Sequence, residues 1–149
     1  MQEFLLVIHI IAAGAWIGTN VVQTVTMRRV MAQGGQPAAT WMTSVVYWGR
    51  VIYTPAAIVI LATGTGMVLN SSLYEFSNAF VSIGFLAVIV AAALGMTVFA
   101  KAGKKAATAF DSGDDDAGRA AAMSVMPWVG LDWFVLLFAL FAMVYKWGV

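Results

Sequence analysis

The chain contains no cysteine, which excludes disulfides, thiolate metal sites and iron–sulfur clusters and leaves thiols silent on redox compartment. Charge is also scarce. Only 10% of the 149 residues are charged, against about a quarter in ordinary soluble domains, and a formal net charge of +1 gives no field to gather nucleic acid. Histidine occurs once, at His9. A single imidazole rules out two-histidine haem ligation within one chain, and it does not suit an ordinary zinc site, which needs three or four strong ligands. The sequence offers no serine triad, phosphate loop, zinc signature or paired catalytic carboxylates, so hydrolase, kinase and metalloprotease chemistries have no residues to stand on.

What is abundant is apolar. Hydrophobic residues make up 62% of the chain and the mean hydropathy is +0.87, the balance of an integral membrane protein. Segments at about 4–27, 46–69, 79–100 and 126–145 each supply the roughly 20 apolar residues that a bilayer crossing needs. The expected fold is an all-α, four-helix transmembrane bundle in one domain over residues 1–149, with both termini on the same side. Arg28, Arg29 and Arg50 sit at the first connection, and Lys101, Lys104, Lys105 and Arg119 at the third, with Lys146 alone opposite. The positive-inside rule then puts these connections in the cytoplasm and the termini outside, in a bacterial inner membrane. The start "MQEF" has no basic residue and no convincing cleavage site follows it, so the first segment reads as a retained helix.

Pro37 after "AQGGQ" reads as a break and helix start. The second helix is expected to begin as an amphipathic cytoplasmic extension over about 38–50 and to bend near Pro55. "KAGKKAATAFDSGDDDAGR" reads as a frayed helix end followed by an exposed turn, its charges serving solvation.

On the first helix His9, Trp16, Asn20 and Gln23 fall on one arc with Ala12 and Ala13. Polar groups are costly in hydrocarbon, so this arc should face the bundle interior. Gly14 and Gly18 lie on the opposite face with GxxxG spacing, favouring close packing within the chain or, alternatively, a homo-oligomer or larger membrane complex. On the last helix Trp128, Asp132, Leu136, Ala139, Met143 and Lys146 share a face. Arg50 has a depth compatible with Asp132, suggesting a structural ion pair or a proton-handling or substrate-anchoring pair. His9, Met67 and Met143 share an outer layer. His9 and Met143 are a plausible axial pair for haem b; with Met67 they would make a soft Cu(I) site; or His9 is simply a hydrogen-bonded packing residue. Lys146 beside Tyr145 and Trp147 reads as a snorkelling base in an aromatic belt.

The fingerprint His9-x6-Trp16-Ile17-Gly18 resembles the first helix of a group of small haem-linked or metal-linked membrane proteins. That group includes the HemJ-type protoporphyrinogen oxidases, the CopD-type copper-resistance membrane domain and the membrane part of cytochrome-linked urate oxidases. "GRVIYTPAAIVILATGTGMVL" is similar to the HemJ-type second helix, and "FVLLFALFAMVYKWGV" resembles the terminal helix of that family. The resemblance implies a haem-ligand role for His9 beside Trp16, a match of Lys146 to the terminal lysine, and polar second-helix positions at Arg50 and Tyr53. After Gly18 the chain departs: "TNVVQTVTMRRV" lacks the aromatic, proline, arginine and second-histidine pattern of the HemJ type, which weighs against protoporphyrinogen oxidation specifically. The expected function is therefore a haem-b membrane redox protein, with Met143 or Lys146 opposite His9 and Arg50 or Lys146 able to hold propionates. A non-catalytic accessory or assembly subunit is the alternative. Copper handling ranks below both, since Met27, Met31, Met42, Met96, Met123 and Met126 gather toward the cytoplasmic half, away from the entry side of a CopD-like importer.

Overall fold

The computed structural model describes residues 1–148 and is all-α. Four helices are long and apolar enough to cross a membrane: Gln2–Gln33, Gly35–Leu69, Ala79–Asp111 and Asp115–Tyr145. At about 1.5 Å per residue, helices of 31 to 35 residues reach well past a hydrocarbon core of about 30 Å. The excess lies at the end of the molecule that carries Arg28, Arg29, Lys101, Lys104, Lys105 and Arg119, here termed the basic end.

The third connection differs from the frayed segment expected for residues 101–119. The third helix runs on to Asp111, the turn is only three residues, and a new helix begins at Asp115. Alanine explains the difference: Gly103, Ala106 and Phe110 repeat at helical spacing and are all buried, a stripe too small in side chain to stand out in hydropathy. The acids of the turn also have assigned work. The Asp114 side chain accepts the Ala117 N–H at 3.0 Å, capping the fourth helix, and Asp115 and Asp116 lie in the first turn, where the helix dipole favours negative charge.

Asp115 does more. Gly34, at φ 66°, and Gly35, at φ 48°, turn the chain between the first two helices in a left-handed conformation natural to glycine. The Gly35 N–H donates to Asp115 Oδ1 at 2.7 Å, so the fourth helix holds the first hairpin turn. Its salt bridge with Arg119 is 3.5 Å long and exposed on both sides. Replacing Asp115 by Ala should cost about 1 kcal/mol for the lost backbone acceptor, whereas Arg119→Ala should change the unfolding midpoint in detergent very little; equal losses from the two would show that the ion pair matters instead.

Helix partners change along the bundle. In the membrane half, the first helix packs on the second and the third on the fourth; at the basic end, the second packs on the third and the third on the fourth. The change coincides with two π-helical turns, Gly49–Tyr53 and Gly95–Phe99. A π-turn holds one residue more than an α-turn and so re-aims the faces on either side by roughly 100°. Just before Pro55, where the sequence suggests a bend, the helix widens into the first of these turns. Proline cannot donate to the carbonyl four residues back and its ring crowds it; the wide turn just before it moves the bonding to Gly49, whose carbonyl accepts both the Thr54 N–H and its hydroxyl, the latter at 2.8 Å.

Three buried clusters hold the bundle. The outer one joins Val68, Phe80, Val81 and Ala142. The middle one joins Ala12, Trp16, Ala56, Val88 and Ala91, with Leu136 packed against it, so that all four helices meet there. The third, at the basic end, surrounds Phe110 with Met31, Ala38, Ala39, Met42, Ala106, Ala121 and Ala122.

Candidate functional site

The polar arc of the first helix faces inward at Ala12 and Trp16, both buried, and two of its polar members, His9 and Asn20, find partners on other helices. Tyr53 donates its hydroxyl to Asn20 Oδ1 at 2.5 Å. Asn20 in turn donates through Nδ2 to Asp132 Oδ2 at 2.8 Å. One amide therefore ties the second, first and fourth helices together, both of its ends in use. Trp16 closes over this chain with its ring edge-on to Tyr53, centroids 5.4 Å apart. Trp133 adds a second tie between the fourth and first helices, donating Nε1–H to Thr24 at 3.1 Å.

The expected Arg50–Asp132 ion pair does not form. Asp132 is 7% exposed and its hydrogen-bond donor is Asn20, while Arg50 lies exposed on the rim and the ion pair found among the described residues is Arg119–Asp115. Depth matched, but direction did not: Gly49–Tyr53 is the π-turn, and it brings Tyr53 into the Asn20 network while leaving Arg50 outside.

His9 is half-buried against the second helix. Its Nδ1 lies 2.9 Å from Thr63 Oγ1, and the Thr63 hydroxyl lies 2.6 Å from the Val59 carbonyl and 3.2 Å from that of Ile60. A hydroxyl has one hydrogen. With that hydrogen on the Val59 carbonyl, the Thr63 oxygen accepts from His9 Nδ1 and Nε2 keeps its lone pair; with it turned to His9, Nδ1 accepts and the proton lies on Nε2. Nε2 has no hydrogen-bond partner among the described residues. Gly64 contributes space: a Cβ there would lie 3.7 Å from His9 Cε1.

The other candidate ligands point to different seams. The Met143 methyl fills the notch left by Gly84 on the third helix, within the outer cluster, so its thioether belongs to the interface of the third and fourth helices and His9 to that of the first and second. Lys146 is exposed; its Nζ donates to the Tyr74 hydroxyl at 2.8 Å and stands 5.3 Å from that ring's centroid. Met67 is half-buried on the second helix. No group of three or more His, Cys, Asp or Glu side chains able to hold a metal is found among the described residues.

Gly14 and Gly18 do not serve packing within the chain. Both are exposed, and a Cβ on either would meet nothing within 4 Å.

Comparison with protein-family models, curated proteins and solved structures finds no match, so the likeness in the first, second and last helices rests on the residues quoted for it.

Proposed function

We propose that this chain is a haem-b-binding membrane protein in which His9 supplies the protein's axial ligand, facing a redox role in the bilayer. What supports this reading is the Thr63 hydroxyl, 2.9 Å from His9 Nδ1, which orients the imidazole and, when it accepts there, keeps the proton on Nδ1. That is the arrangement in which the partner of a ligating histidine fixes its tautomer and raises the basicity of the other nitrogen.

The donor set fits one axial position. Neither Met143, seated over Gly84, nor Lys146, held by Tyr74, stands across from His9, so His9 is the one residue of this chain that would hold the group. Bound haem would supply one-electron exchange at its iron. This chain's part would be to hold Nε2 in place through Thr63 and to exclude water with the apolar walls of the first two helices; Arg50, thirteen residues from Thr63 and so about 20 Å along the axis, is not placed beside His9. With seven of the eight basic side chains at the Arg28–Arg119 end and Lys146 at the other, this reading places that end in the cytoplasm and the termini outside, in a bacterial inner membrane.

The test is titration of the purified full chain in detergent with haem. A Soret band of a histidine-bound haem should develop, and His9→Ala, with unchanged helicity, should weaken binding at least tenfold. Equal spectra for the two proteins would sink the reading. A second reading, an accessory subunit of a larger membrane complex, is favoured by the exposed glycine face of the first helix, to which another chain's helix can approach closely; it predicts colourless protein that co-purifies with a larger assembly.

A further inference from the structure

Asp132 is a carboxyl group inside the bundle, 7% exposed, with no ion-pair partner among the described residues. The first helix presents Asn20; its nearest titratable side chains are the exposed Arg28, eight residues toward the basic end and about 12 Å along the axis, and His9, eleven residues the other way and about 16 Å off. The second presents Tyr53, which bonds Asn20, while Arg50 is exposed and makes no ion pair. The third has no titratable side chain between residues 79 and 100, and its first cation beyond, Lys101, is exposed at the basic end. On the fourth, Lys146 lies fourteen residues further, about 21 Å off, bonded to Tyr74.

A buried carboxylate with neutral neighbours is among the most costly groups a membrane helix can carry. The hydrogen-bond pattern around it is built for a group that changes state. Tyr53 orients the Asn20 amide by occupying Oδ1, which aims Nδ2–H at Asp132 Oδ2 and leaves the second carboxyl oxygen free to carry a hydrogen. One turn nearer the basic end, Gln23 Nε2 is buried with no hydrogen-bond partner. An orphaned amide donor in such a place is a seat for water, and it lies between Asn20 and the basic surface.

We propose that Asp132 is a proton-binding site of the membrane interior, exchanging with water that enters from the basic end past Gln23. In the loaded state the free oxygen carries the hydrogen. On release the O–H bond breaks, the proton passes to water, and the electron pair stays on the carboxylate, which keeps the Asn20 N–H as its donor. Asn20 and Tyr53 are positioning residues. This site shares no residue with the His9 site and does not depend on haem.

Infrared difference spectra of the full chain in lipid nanodiscs, wild type minus Asp132→Asn, test it. An undissociated carboxylic acid band, shifted in D2O, should be present at neutral pH, disappear in the variant, and give way to a carboxylate band as pH rises. Asn20→Leu removes the donor that favours the charged form, so it should move this exchange to higher pH. Loss of no acid band in Asp132→Asn, or a carboxylate already formed at the acidic end of the range, overturns the proposal. Should Asp132→Asn not fold, wild-type protein treated with dicyclohexylcarbodiimide decides alone, because this apolar reagent adds to undissociated carboxyls: an adduct mapped to Asp132 that is lost at alkaline pH supports the site, and its absence at neutral pH refutes it.

Discussion

Phe110→Ala should destabilise the basic end by about 3–5 kcal/mol, the upper part of the range for large-to-small core substitutions. Phe110 is 1% exposed, and its ring lies where the fourth helix has Gly118: a Cβ there would sit 2.7 Å from the ring. Most of the surrounding side chains are alanine. Short side chains cannot swing into a cavity, so the hole left by the ring closes only if helices move, which is why the cost should stay near the high limit. The spans should survive. Limited proteolysis should therefore cut the variant early in the 100–125 region while far-ultraviolet circular dichroism in detergent stays nearly unchanged; a loss below about 1.5 kcal/mol would mean that the cluster collapses more freely than its composition implies.

Asn20→Leu should be the most damaging single change in the membrane half, costing about 3–5 kcal/mol. It strands two groups at once, the Tyr53 hydroxyl and the Asp132 carboxyl, and each was matched to a short hydrogen bond of 2.5 and 2.8 Å. A buried polar group that loses its partner costs more than the bond was worth in net terms. The double variant Asn20→Leu with Asp132→Leu should accordingly recover at least half of the loss in thermal midpoint, since it removes the stranded acid. Strict additivity of the two substitutions would show that the amide and the carboxyl do not act on each other.

Much of this arrangement was legible in the sequence. The four apolar runs announced four spans, and the spacing of His9, Trp16, Asn20 and Gln23 identified an inward arc whose buried members are Ala12 and Trp16. Helix ends were less legible. Arg28 and Arg29 close an apolar window without closing a helix, because past the membrane the stripe of Met31, Ala38, Ala39 and Met42 goes on burying itself. The acids at 114–116 read as solvation when counted by charge; as a capping residue and a holder of the Gly35 N–H, they depend on which helix lies beside them, which spacing alone does not tell. Arg50 and Asp132 had the right depth, and a π-turn decided their direction. Thr63 carried a faint signal, a hydroxyl amid "AIVILATGTGMVL", but its bond to His9 joins residues 54 positions apart. Met143 and His9 shared a height and were assigned to each other for that reason; height does not say which seam a side chain enters.

The two wide turns have an evolutionary corollary. Because each carries a surplus residue, removing one from the Gly49–Tyr53 stretch would restore a regular spiral and spin the whole preceding rod by close to a third of a revolution, pulling Met42 and Ala39 off their neighbours while the bilayer portion kept its own fit. Lineages descending from a common ancestor should therefore tolerate a gain or loss of length at the tight bends between these rods rather than within them.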